Sequence, residues 1–212
     1  MDVNRRDRDF WERHARHLDS ALGLLERPFS RMLALVAEGL EGTESVLEVA
    51  AGTGRISAVL ASRTSRLVVT DYASAMLTRA RGKLAAGDRR ASGAVHWAQA
   101  DLYALPFPSG IFDRIVAGNV LHVTPDPKAA LSSLRRVLAP GGRLIAPTFC
   151  HGETLLAHAV SKLLGWAGQP VYQRFTTGSL CREFERSGWR VTRRETISGW
   201  IPIGYVEAIV QD

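Results

Sequence analysis

Ten residues, Val46 to Arg55 (Val-Leu-Glu-Val-Ala-Ala-Gly-Thr-Gly-Arg), restrict what this chain can fold into more than any other stretch. Val46 to Val49 is an apolar run broken only by Glu48, the pattern of a buried parallel strand. Gly52 and Gly54 follow around Thr53, and Ile56, Val59 and Leu60 then recur at helical spacing. A strand therefore runs into a tight glycine turn and on into a helix. Glycines let a backbone approach a ligand closely, and the helix N-terminus offers free N–H groups. This is the first unit of a nucleotide-binding α/β fold, whose ligand lies at the carboxyl end of the strand. A phosphate loop is absent, because no Gly-x-x-x-x-Gly-Lys-Ser/Thr occurs here. The dinucleotide fingerprint is only partly met, because Ser57 stands where its third glycine belongs.

The chain downstream repeats the strand–helix alternation. Arg66–Thr70 reads as a second strand ending at Asp71. In a nucleotide fold an acid at this place accepts from the ribose hydroxyls, and a carboxylate offers two acceptor oxygens to two neighbouring hydroxyls. Ser74 is expected to cap a helix carrying Met76, Leu77, Ala80 and Leu84. Val95–Gln99 is the third strand, leading to Ala100-Asp101-Leu102, and Phe112–Gly118 is the fourth, leading to Asn119-Val120-Leu121-His122. Asp126-Pro127 opens the next helix with an N-cap acid and a proline in its first turn. Leu138-Ala139-Pro140-Gly141-Gly142 then turns the chain into the strand Arg143–Thr148.

Taken together, the acid Glu48 with Gly52 and Gly54, Asp71, Asp101 with Leu102, Leu105-Pro106-Phe107-Pro108, Asn119-Val120-Leu121-His122 and the Pro-Gly-Gly turn resemble class I S-adenosylmethionine (SAM) dependent methyltransferases. Within them the likeness is to the ubiquinone-biosynthesis-like, methyltransferase type 11-like small-molecule group. The resemblance runs from Val46 to Val210 in the family's order. It implies a single Rossmann-like α/β domain with a seven-stranded, mostly parallel sheet of order 3-2-1-4-5-7-6, strand 7 antiparallel, flanked by helices.

For the site, the resemblance implies SAM as methyl donor and S-adenosylhomocysteine (SAH) as product. Glu48, Ala50, Gly52, Thr53 and Gly54 would bind the cofactor, with Gly52 and Gly54 near its methionine moiety. Asp101 and the Leu102 N–H would pair with adenine, whose amino donor and ring acceptor they match. Asn119 would lie at the fourth strand's end, near the methyl donor. Tyr72 and Met76 follow Asp71 closely; contact with the adenosine and ordinary core packing both account for them. The family commonly has a glycine where this chain has Ala50, which implies negative φ there, because a Cβ resists the left-handed region. His122 is the first candidate for a general base, since imidazole titrates near neutrality; His151 is the second. Packing or a backbone hydrogen bond would account for His122 equally well.

The expected reaction is methyl transfer to an oxygen, nitrogen or carbon of a small-molecule acceptor. Three alternatives stay open: SAM binding without turnover, an NAD-linked oxidoreductase, and a nucleic-acid methyltransferase. Ser57 and Asp101 count against the second. The third would explain the net charge of +6. Arginines are spread over the chain, however, and neither the Asn/Asp-Pro-Pro-aromatic pattern of base amino methylation nor the Pro-Cys of cytosine methylation occurs, so nucleic acid is not the expected partner.

The chain reads as one domain, 1–212, with a helical lid over 1–44 and a substrate-side insertion over 151–175. The lid comprises a helix over Asp9–Asp19 and another opened by Pro28 and stopped by Gly39 and Gly42. Within the insertion, Glu153–Trp166 is expected to be helical, burying Leu155, Leu156, Ala159, Val160, Leu163 and Leu164. Thr177 or Ser179 would cap a last helix before two closing strands, Trp189–Thr196 and Ile201–Val210. Two widely spaced cysteines, Cys150 and Cys181, with a charged N-terminus and no secretory leader, point to reduced thiols in the cytoplasm. No run reaches the ~18 apolar residues of a membrane span. No metal site is expected, and the oligomeric state is left at monomer or homodimer.

Overall fold

A computed structural model of the chain describes residues 3–16, 26–87, 93–166 and 169–211. Among the described residues, two helices, α1 (Val3–His14) and α2 (Glu26–Glu38), precede the sheet. The alternating core follows as β1 (Ser45–Val49), α3 (Ser57–Ala61), β2 (Arg66–Asp71), α4 (Ser74–Ala86), β3 (Ala94–Gln99) and β4 (Phe112–Ala117). After a 3-10 turn, Leu121–Val123, come α5 (Pro127–Val137), β5 (Leu138–Ile145), β6 (Thr148–Phe149), α6 (Leu155–Trp166), α7 (Thr177–Arg186), β7 (Trp189–Ile197) and β8 (Ile203–Val210). Helix α1 begins earlier than the sequence suggests. Residues 17–19 of the expected Asp9–Asp19 helix lie outside the described residues.

The strands run β3-β2-β1-β4-β5-β8-β6, with β7 on β8. The first five are parallel, and β8 is antiparallel to β5, β6 and β7. β5 and β6 are one path along β8, interrupted at Ala146-Pro147, where the Ala146 N–H still reaches the Val206 carbonyl at 2.8 Å. Proline has no N–H to continue a ladder, so the strand is cut there. Counting β5 and β6 as one strand yields the expected order 3-2-1-4-5-7-6.

The central strands are largely apolar because both faces are covered. Leu47, Val49, Ile115 and Ala117 point to the side packed by α5 and α7. Val46, Val116 and Val69 point to the side of α2 and α3. Phe112 pairs with Leu138 and Arg114 already pairs with Arg143, so Ala139–Gly142 form a bulge at the start of β5, with Gly141 at φ 73°.

Several local expectations change. The N-terminus of α4 is capped by Glu12 of α1, not by Ser74. The Glu12 carboxylate accepts the Ser74 and Ala75 N–H groups at 2.6 and 2.9 Å and the Ser74 hydroxyl at 3.1 Å. An anion on a helix N-terminus meets both the free N–H groups and the helix dipole. Thr176 caps α7, with Ser179 completing a reciprocal capping box.

Helix α6 is turned around. Leu155, Leu156, Ala159 and Leu163 are exposed and Val160 is half-buried, while Ala157 and Ser161 face inward. The side chain of Leu164 lies outside those described. Helical periodicity identifies a face but not what covers it. Here the inward face is fixed by Arg174, whose Nε donates to the buried Ser161 hydroxyl at 3.1 Å.

Candidate active site

A cavity of about 420 Å³ opens at the carboxyl ends of β1 to β4, where an open parallel sheet places its ligands. Its inner part is built by the glycine turn. Ala50 adopts φ 49°, so the expectation of negative φ is wrong. The chain must leave β1 sharply enough for the Ala51 N–H to donate to the Thr70 carboxyl-end carbonyl on β2 at 3.0 Å. That turn outweighs the left-handed cost of roughly 1–2 kcal/mol. Gly52 (φ 56°) directs its N–H onto the Asp71 carboxylate at 2.8 Å. Gly54 (φ 82°) does not line the cavity; a Cβ on it would stand 2.7 Å from the Ala80 Cβ, so this glycine serves the packing of α4. Thr53 lines the cavity and accepts from Lys83 Nζ at 3.3 Å.

Asp71 is buried, and its other oxygen accepts the Ala73 N–H at 2.9 Å. Desolvation pushes its carboxyl up to about 6 against these two backbone donors. Each oxygen keeps a further lone pair for a hydroxyl donor. Tyr72, Met76, Asp101 and Leu102 line the same part of the cavity. Asp101 is held by the Tyr103 N–H at 2.9 Å.

Glu48 stands apart from this group. It lies beneath the turn, outside the cavity lining, and accepts the Ser57 hydroxyl at 2.5 Å. Burial pushes its carboxyl up to about 8, with the nearby Asp71 charge adding to the shift. Its buried Oε1 has no hydrogen-bond partner.

The outer part of the cavity is different in kind. Asn119 sits at φ 53° after β4, its N–H on the Pro147 carbonyl at 2.7 Å. Its buried Oδ1 has no partner. His122, on the 3-10 turn, and His151, after β6, are both buried cavity-lining residues with ring centroids 5.2 Å apart. Nδ1 of His122 and both ring nitrogens of His151 lack a hydrogen-bond partner. Burial lowers the His122 pKa well below the ordinary value, with His151 adding to the effect. His151 is lowered to about 4, by burial and then Arg174. Phe29, Phe149, Val160, Trp200 and Ile201 complete an apolar wall.

Sequence reading passes over what α1 contributes. Asp7 and Trp11 line the cavity, and the Tyr172 hydroxyl donates to both Asp7 oxygens at 3.1 and 2.9 Å. Tyr172 and Gln173 in turn donate their N–H groups to the His122 carbonyl, each at 3.0 Å. The partners Asp7 and Tyr172 are 165 positions apart, so no local pattern signals them. Among the described residues, no group of three or more His, Cys, Asp or Glu could hold a metal.

The sheet order and this carboxyl-end cavity are those of a Rossmann-like α/β domain, the fold of its structural neighbours. Residues 47–146, the stretch that carries the turn, Asp71, Asp101 and His122, match the methyltransferase domain family. The chain is 38% identical over 106 residues to a demethylmenaquinone methyltransferase of Clavibacter sepedonicus, covering 50% of this chain and 41% of that protein. It is 33% identical over 142 residues to the ubiquinone/menaquinone biosynthesis C-methyltransferase UbiE of Teredinibacter turnerae, covering 66% of this chain and 56% of that protein. The chain thus spans about half the length of these relatives. The structure of a DhpI–SAH complex superposes with a TM-score of 0.70 at 21% identity, over 98% of this chain and 96% of that one, and shows the shared fold.

Proposed function

We propose that this protein transfers a methyl group from SAM to a small, largely apolar acceptor. The observation that carries the reading is the division of the cavity. Hydrogen-bonding groups suited to a nucleoside cluster at the ends of β1 to β3, and two buried imidazoles stand with an apolar wall beyond β4. SAM suits the inner part: Asp71 takes the ribose hydroxyls, Asp101 and the Leu102 N–H take adenine, and the turn Ala50–Thr53 receives the methionine end. Glu48 acts from below, holding the start of α3 through Ser57. Bound SAM supplies an electrophilic methyl on a cationic sulfur.

His122 and His151 do the rest. Both are neutral at pH 7, because burial disfavours the charged form. His122 accepts the acceptor's proton in the step in which the positive charge on sulfur is lost, so the enclosed site carries one positive charge before and after. That exchange makes a buried, weakly basic imidazole a workable base. His151, its ring 5.2 Å from that of His122, is the second candidate for the base. Alignment and exclusion of water supply the remainder. The acceptor atom is oxygen, nitrogen or carbon. The two relatives are named for demethylmenaquinone methylation and for C-methylation in quinone biosynthesis, which supports carbon.

Helices α1 and α2 serve as the lid and 151–175 as the acceptor side of one domain. Nucleic acid is disfavoured as substrate, because the charged side chains lining the cavity are Asp7, Asp71, Asp101 and Arg55, and Arg55 already pairs with Glu26 at 2.7 Å. Two buried free thiols, Cys150 and Cys181, fit a cytoplasmic enzyme. Calorimetry with SAM, SAH and NAD, followed by a screen of apolar hydroxylated acceptors, tests the reading. SAM and SAH should bind and NAD should not. Binding of NAD alone would overturn it, and SAM binding without any methylated product would leave a binding protein.

A further inference from the structure

Helix α6 carries its apolar side outward. Leu155, Leu156, Ala159, Leu163 and Trp166 fall within an arc of about 120° of the helix surface at 100° per residue, with Lys162 at its edge. Leu155 and Trp166 are each 92% exposed. A soluble surface rarely shows such a contiguous apolar face without a partner. The nearby turn before β8 adds Trp200, 67% exposed. The turn and the helix flank one opening, because Val160 of α6, Trp200 and Ile201 all line the cavity.

Charge identifies what covers this face. No Asp or Glu occurs from Thr154 to Arg182 or from Thr196 to Val206, while His158, Lys162, Arg174 and Arg182 do. Gly199 of the turn packs on Pro28, a Cβ there standing 3.1 Å from the proline ring, and the residue before Pro28 is the exposed Arg27. Neither Lys162 nor Arg27 forms an ion pair among the described residues. Leucines to sink, tryptophans at the boundary and basic groups at the rim are the composition of a helix that lies in an anionic lipid surface. We infer that α6 and the 198–201 turn dock this protein on an anionic bilayer, with the mouth of the cavity against the membrane, so that an apolar acceptor enters without crossing water.

Sedimentation of the full chain with vesicles tests this. Phosphatidylcholine vesicles containing about a third phosphatidylglycerol should bind at least roughly tenfold more protein than pure phosphatidylcholine, and salt should weaken the binding. The triple variant Leu155→Ser, Leu163→Ser, Trp166→Ser should lose at least roughly tenfold of that binding, and Lys162→Glu should lose a smaller part. SAH affinity, measured on the same samples, shows that each variant is folded and keeps this test separate from the proposed methyl transfer. Absence of vesicle binding by the folded wild type would overturn the inference. So would vesicle binding that the triple variant retains. A concentration-dependent dimer that the triple variant abolishes, without vesicle binding, would assign the face to a second copy of the chain instead.

Discussion

The two ends of the cavity are held together in opposite ways. At the inner end, Asp71 is gripped by the Gly52 and Ala73 N–H groups, Asp101 by the Tyr103 N–H and Glu48 by Ser57. These bonds join residues close in sequence or on adjacent strands, so the polar groups are fixed before any ligand arrives. At the outer end, Asn119 Oδ1, His122 Nδ1 and both His151 nitrogens are buried without partners. A buried polar atom left unpaired costs about 1–3 kcal/mol. The inner end is thus a finished mould, and the outer end is an incomplete one that an acceptor's polar groups would complete. On the proposed function, pre-organisation serves a donor that never changes, whereas the unpaired groups of the outer chamber would discriminate among acceptors.

The sharpest way to break this contrast is His122→Ala. If His122 is the base, kcat should fall by about 10²–10⁴ while SAM affinity stays near wild type; steady-state rates beside calorimetry decide it. A rate within a few-fold of wild type would pass the role to His151. The pH dependence refines the test. A base with a lowered pKa is deprotonated well before pH 6.5, so kcat should be flat from about pH 6.5 upward; a rise through that range would mean that the imidazole titrates normally.

Gly54→Val should come next. It forces a Cβ against Ala80 and a branched side chain into positive φ, so stability should drop by about 2–4 kcal/mol by denaturant titration. Asp71→Ala should weaken SAM binding by about 1–3 kcal/mol with the fold retained; unchanged affinity would remove Asp71 from the ribose.

Glu48 gives a prediction in pH. Its folded pKa of about 8 lies above the unfolded value near 4.5, so the folded state holds the proton more tightly. Its contribution is greatest below pH 4.5 and is lost as pH rises toward 8, the sign expected when the native state binds more protons. Glu48→Gln should flatten that decline in stability, since an amide oxygen still accepts from Ser57. A decline as steep as that of wild type would show Glu48 ionised in the fold. Ala50→Gly should have the smallest effect: relief of the left-handed backbone offsets the extra entropy of glycine in the unfolded chain, leaving stability within about 1 kcal/mol.

The same contrast separates what the sequence reveals from what it conceals. The turn Ala50–Gly54, Asp71 and Asp101 are legible because each sits a fixed step beyond a strand whose apolar run is self-evident. The strand order follows once Pro147 is seen to cut one strand in two. The Ala50 conformation is not legible, since a rule about Cβ sterics was overruled by the hydrogen bond from Ala51 to Thr70. Nor is the orientation of α6, whose leucines have helical spacing but whose inward side is chosen by Arg174 on Ser161. Asp7 and Tyr172 meet only in the fold.

Helix α1 is tied at both ends of the cavity. Glu12 clasps the start of α4 beside Asp71, and Asp7 clasps Tyr172, whose backbone hangs on His122. A single helix thus spans the donor and acceptor sides like a bar across two doors. With α1 as the proposed lid, spent cofactor would leave by that route once both clasps open, and a fresh acceptor would wait beneath the bar until the helix resets. Turnover of the proposed enzyme would then be paced by the swing of α1 and would show itself as a kcat that falls with solvent viscosity.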